Sequence, residues 1–82
     1  MIKKGHNGDV YEGEFDKYER HGKGIYTWGT GERYVGEFKR GRREGRGKFY
    51  RNNGILLYDG EWRRGLRNGK GIEFDQTGEQ VS

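Results

Sequence analysis

A chain of 82 residues with 17 glycines, no proline and no cysteine allows one small domain, and excludes a disulfide framework or a thiolate metal site. Charged residues reach 37% at a formal net charge of +4, a balance that leans towards disorder, but aromatics at 15% and glycines at fixed intervals oppose that reading. The longest apolar run, Ile55 to Tyr58, is too short to span a membrane, and the opening residues lack the apolar core of a signal peptide, so a cytoplasmic protein is expected.

Taken in order, the chain repeats itself. Residues 1–10 read as the tail of a partial preceding unit, or N-terminal cap, because Asn7-Gly8 occupies the turn slot that closes each later unit. Units then open at Tyr11, Tyr34 and Tyr58 and run over 11–33, 34–57 and 58–80, leaving 81–82 as a tail. Counting from each tyrosine, Gly stands third (Gly13, Gly36, Gly60), Glu fourth (Glu14, Glu37, Glu61) and Phe or Trp fifth (Phe15, Phe38, Trp62). A G-x-G pair follows at Gly22/Gly24, Gly45/Gly47 and Gly69/Gly71.

Each unit is predicted as two strands. Tyr11-x-Gly13-x-Phe15 alternates with period two, which places aromatic, glycine and aromatic on one face and Glu12 and Glu14 on the other. A loop of about six residues is expected next, then a strand through Gly22-x-Gly24-x-Tyr26-x-Trp28, then a glycine turn. Glycine inside a strand lets a neighbouring aromatic ring lie flat over the backbone, so the Tyr and Phe or Trp positions are expected to cover glycines of the adjacent strand. On the opposite face, Glu14/Lys23, Glu37/Arg46 and Glu61/Lys70 are expected as cross-strand ion pairs. Repeat two carries an extra residue around Ile55-Leu56-Leu57, read as a bulge or a longer turn. Repeat three has Glu73 and Asp75 where repeat one has Tyr26 and Trp28, so its last strand is expected to be a polar cap, or to shift register and turn Ile72 and Phe74 inward. The fold class is all-β, a row of antiparallel hairpins forming a single elongated twisted sheet.

The pattern Y-x-G-x-[FW]-x-x-G-x-x-x-G-x-G in three tandem copies over residues 11–80 resembles the MORN (membrane occupation and recognition nexus) repeat. Repeat one departs from it with Tyr18 where Gly41 and Gly65 stand. The resemblance implies a scaffold that dimerises or docks along partners, in the cytoskeleton, in cilia or in apical structures. The family name also suggests anionic membrane.

The charge is unevenly placed. Residues 16–23, 39–46 and 63–70 hold 12 of the 17 Lys and Arg against three acids, a net of +9, while the remainder carries −5. Stacked hairpins would bring these segments to one edge, either as a solvated edge that discourages strand pairing or as a docking rail for an acidic protein surface or an anionic lipid. Nucleic acid is disfavoured, because the regularly placed aromatics are assigned to glycine rather than to bases. A single-layer ribbon has nothing to cover its aromatic face, and with no cysteine, association with a partner or a second copy is the remaining route to stability. Tyr11, Phe15, Tyr34, Phe38, Tyr58 and Trp62 are therefore expected to form a groove for a partner helix or peptide, and Arg40, Arg42, Arg43, Arg63, Arg64 and Arg67 to supply edge contacts. The histidines, His6 and His21, have no nucleophile or metal-ligand cluster around them in the sequence, and no cofactor or catalytic role is expected. The resulting expectation is a non-catalytic protein-binding scaffold, with binding to anionic phospholipid (phosphoinositide or phosphatidic acid) as the alternative.

Overall fold

A computed structural model describes residues 2–5 and 7–81, with Lys3 described by its backbone alone; His6 lies outside the described residues. Seven strands form one antiparallel sheet in strict chain order: β1 (Ile2–Lys4), β2 (Val10–Asp16), β3 (Glu19–Thr27), β4 (Arg33–Lys39), β5 (Arg42–Tyr50), β6 (Leu56–Arg63) and β7 (Leu66–Glu73). The described residues extend over 38 × 25 × 15 Å, thin enough for one sheet and its side chains. The row of hairpins read from the sequence is the observed architecture. β1 pairs with β2 through Ile2↔Glu12, Lys3↔Tyr11 and Lys4↔Val10, the same edge that β3 presents to β4.

The expected six-residue loops are two-residue turns. Lys17-Tyr18, Arg40-Gly41 and Arg64-Gly65 all have positive φ, at 51°/71°, 52°/82° and 53°/81°. Two consecutive left-handed residues match the twist of the flanking strands, so pairing continues to the tip at Asp16↔Glu19, Lys39↔Arg42 and Arg63↔Leu66. Lys or Arg in the first left-handed position hides this turn from a reading that looks for Asn-Gly or Gly-Gly.

The expected ion pairs Glu14/Lys23, Glu37/Arg46 and Glu61/Lys70 are corrected. Register passes from Gly13↔Gly24 to Phe15↔Arg20, so Glu14 alone faces three residues and the pairing is irregular there. Its Oε1 accepts the backbone N–H of Lys23 at 2.6 Å, and Glu37 accepts that of Arg46 at 3.1 Å. In repeats one and two, position four is thus a cap for a backbone amide that the ladder leaves unpaired. The glycine opposite is left-handed, with φ of 82° at Gly22 and 88° at Gly45. The ion pairs found among the described residues are Arg46–Asp59 at 3.8 Å and Arg67–Glu73 at 3.4 Å.

The extra residue in repeat two is a bulge at Leu57, since Phe49 pairs with Tyr58 but Tyr50 with Leu56. Of the two readings for repeat three, the polar cap holds: Gly60↔Gly71 and Tyr58↔Glu73 keep the common register, and β7 is exposed along its length.

Candidate functional site

One face of the sheet is a repeating array built on tyrosine. Tyr11, Tyr34 and Tyr58 lie over the glycine ladder, and a Cβ added at Gly24, Gly47 or Gly71 would strike their rings. Each hydroxyl donates to the carbonyl of its own position-four glutamate: Glu14 at 2.7 Å, Glu37 at 2.8 Å and Glu61 at 3.0 Å. The same tyrosine therefore roofs the glycines and ties down the irregular backbone beside them. Each ring also meets position-five rings edge-on: Tyr11 touches Phe15 and Phe38, Tyr34 touches Phe38 and Trp62, and Tyr58 touches Trp62, at 4.9–5.4 Å between centroids. The Trp62 indole N–H donates to the carbonyl of Gly47 at 3.0 Å.

This array fills the groove expected of it. Tyr11, Tyr34, Phe38, Tyr58 and Trp62 are buried in the chain's own core, and of the six aromatics assigned to a partner only Phe15 keeps part of its surface open. The rings cover one another because the stacking of neighbouring hairpins sets Phe38 and Trp62 each against two tyrosines, which a linear pattern does not display.

Arginine completes the face. Position ten is Arg in every repeat (Arg20, Arg43, Arg67), a regularity more informative than the basic surplus around it. Arg20 lies 4.8 Å from the Tyr26 ring and 5.6 Å from that of Phe38, and donates to the carbonyl of Gly41 at 2.5 Å. Arg43 lies 4.7 Å from Trp62 and 5.4 Å from Trp28, and donates to the carbonyl of Gly65 at 2.6 Å. The backbone returns the contact, with Gly41 N–H donating to Arg20 O and Gly65 N–H to Arg43 O. Each arginine thus clasps the turn of the next repeat while stacked on its position-five ring. Burial lowers the pKa of Arg43 from its ordinary value and raises that of Tyr34. Asp9 accepts from the Tyr26 hydroxyl and the Gly29 N–H, and these bonds hold its carboxyl below the usual range.

The six arginines assigned to the edge divide. Arg43 is half-buried in the clasp, and Arg67 turns to the Tyr58 ring and Glu73. Arg40, Arg42, Arg63 and Arg64 converge with Lys39 on a cleft of about 510 Å3 across the turns of repeats two and three, together with Glu19 and Glu44. Glu44 is engaged by the Arg64 N–H at 3.1 Å. Lys39 stands directly opposite Arg42, a like-charge rung that costs the sheet stability.

The MORN repeat family matches residues 11–33, 34–55 and 58–80, three consecutive copies that cover most of the chain. The chain is a MORN-repeat protein. A search of curated proteins returned no match. MORN repeats form a non-catalytic repeat family whose members generally bind proteins or lipids. Within this MORN chain, no group of three or more His, Cys, Asp or Glu among the described residues is placed to hold a metal ion.

Proposed function

We propose that this MORN protein is a non-catalytic binding scaffold that docks an acidic segment of a protein partner on its turn edge, as a small subunit of a cytoskeletal or ciliary assembly. The observation that carries the proposal is the convergence of Lys39, Arg40, Arg42, Arg63 and Arg64 from two hairpin tips on one cleft. The Lys39–Arg42 rung supports it, because a like-charge pair kept at a stability cost is relieved when an anion arrives. Arginine suits bidentate pairing with carboxylates. The cytoskeletal or ciliary setting rests on family likeness, and the cytoplasmic setting on the composition.

The same cleft favours a second reading, peripheral binding to anionic phospholipid, since hairpin tips are a surface that a membrane could meet. One experiment separates the two. A tagged chain and its Arg40→Glu/Arg42→Glu variant are recovered from native cells and also sedimented with phosphoinositide and neutral vesicles. A stoichiometric protein partner lost on charge reversal supports the scaffold reading. Reversal-sensitive binding to phosphoinositide vesicles alone supports the lipid reading. Partner binding that survives the reversal removes the turn edge from either. Arg43→Glu is unsuitable here, because it would break the clasp as well as the charge.

A further inference from the structure

One cleft on the aromatic face is walled by cations and rings, with no acid among them. It measures about 250 Å3 and is lined by Arg20, Arg42 and Arg43 together with Tyr26, Trp28 and Phe38. Its walls come from β3, β4, β5 and Trp28 just beyond β3, and the turns at Gly41 and Gly65 complete it. All of them lie inside the three repeats, so the cleft is enclosed by the chain's own hairpins. The pair Tyr26-x-Trp28 is peculiar to repeat one, since the same positions hold Phe49-x-Arg51 and Glu73-x-Asp75 in the other two. These two rings stand 4.7 Å apart at 55° and are half-buried, so each leaves ring surface open.

The clasps hold two guanidiniums here without neutralising them. Each spends one terminal nitrogen, Nη2, on a glycine carbonyl, and a guanidinium carries five N–H donors. Burial lowers the Arg43 pKa, and the charge of Arg20 adds to that lowering. Asp9 feels the charge of Arg20, but its carboxyl is taken by the Tyr26 hydroxyl and the Gly29 N–H, and it is not part of the cleft. We propose that this cleft binds an aryl phosphate, the side chain of a phosphorylated tyrosine on a partner protein. A carboxylate would offset one of the three arginines, whereas a phosphomonoester brings a charge of about −1.5 to −2 and three acceptor oxygens that separate arginines can share. The rings of Tyr26 and Trp28 supply the wall for the aryl group. At about 250 Å3 the cleft is smaller than pockets for drug-sized ligands, which suits a single inserted side chain. The site shares only Arg42 with the turn-edge cleft, and either could fail without the other.

The test is titration of the isotope-labelled chain with N-acetyl-phosphotyrosine amide, followed by the indole N–H signals of its two tryptophans and by backbone amide shifts. The Trp28 indole is expected to move, with half-saturation below about 1 mM, while that of Trp62, bonded to the Gly47 carbonyl, stays in place. Tyrosine amide without the phosphate should bind at least about tenfold more weakly. Arg42→Ala, which touches neither clasp, should weaken binding about threefold with the amide spectrum otherwise kept. Arg40→Ala/Arg64→Ala, confined to the turn-edge cleft, should leave it within about twofold. A silent Trp28 indole at about 5 mM ligand overturns the proposal, as does equal binding of unphosphorylated tyrosine amide. Inorganic phosphate or blocked phosphoserine binding as tightly as phosphotyrosine removes the aryl recognition and overturns it. Tighter binding of inositol trisphosphate at the same residues would assign the cleft to a lipid headgroup and overturn it as well.

Discussion

Tyr18 holds φ at 71° in a slot where repeats two and three place glycine, with its ring in solvent. The left-handed region costs a residue with a Cβ about 1–2 kcal/mol, and no contact within the core offsets that here. Tyr18→Gly is therefore expected to stabilise the chain by about 1 kcal/mol, read as a rise of roughly 4–8 °C in Tm. Tyr34 is the opposite case, a fully enclosed ring whose hydroxyl supplies a hydrogen bond to Glu37 O. Tyr34→Phe removes that donor and is expected to cost about 1–3 kcal/mol in urea denaturation, because the carbonyl it served is left without a partner. Burial also raises the Tyr34 pKa above its ordinary value of 10.0. The folded chain then keeps its proton to higher pH than the unfolded chain does. The stability this contributes is complete below about pH 10 and is lost as pH rises through the folded value. Unfolding free energy measured from pH 7 to 11 should be flat at first and fall above about 10, and less steeply in Tyr34→Phe.

At the scale of the hairpin, the glycine ladder and the arginine clasp do different work. Gly47 is buried under the Tyr34 ring in the middle repeat, and a methyl group there meets that ring directly. Gly47→Ala is expected to cost about 2–3 kcal/mol, as overpacking of a closed site, whereas Gly54→Ala, with open space around its Cβ, should lose only the strain of its left-handed φ. Chemical denaturation of the two variants side by side checks the difference. Hairpins are then joined to one another through the clasp. Arg43→Lys keeps the charge but gives up the planar stack on Trp62 and the fixed donor to Gly65, and should destabilise by about 1–2 kcal/mol. That loss distinguishes a structural arginine from the exposed ones at the tip.

Across the whole molecule, charge is concentrated where it opposes folding. Arg42→Glu turns the Lys39 rung into an opposite-charge pair and should stabilise the free chain by about 0.2–1 kcal/mol. The same change should abolish binding of the anionic partner. A thermal melt and a binding measurement on one variant would thus move in opposite directions, and raising salt should shrink the gain in stability. If both instead fell together, the rung would be part of the framework and not a site held ready for a ligand.

Much of this was legible in the linear pattern. Tyr, Gly, Glu and Phe or Trp at fixed offsets give strand, face and repeat length together, because a period of two and a turn every hairpin leave one antiparallel meander as the way to pair neighbours. Aromatic cover over glycine follows from the same offsets. The recurrence of Arg20, Arg43 and Arg67 is also in plain view, but spacing alone does not separate it from the basic surplus around it. Its meaning depends on the turn of the following repeat, more than twenty residues away, arriving beneath the guanidinium. The glutamate caps are hidden for a related reason: the irregular pairing at Glu14 changes which group lies opposite, and only the closed backbone shows that an amide is left to be capped. Sequence by itself determined the family, the all-β ribbon and the residues of its ladders. Tertiary structure decided which aromatics are used up inside, which arginines are clasps and which remain free at the tips, because burial and charge pairing are set by neighbours that twist brings together and spacing does not record.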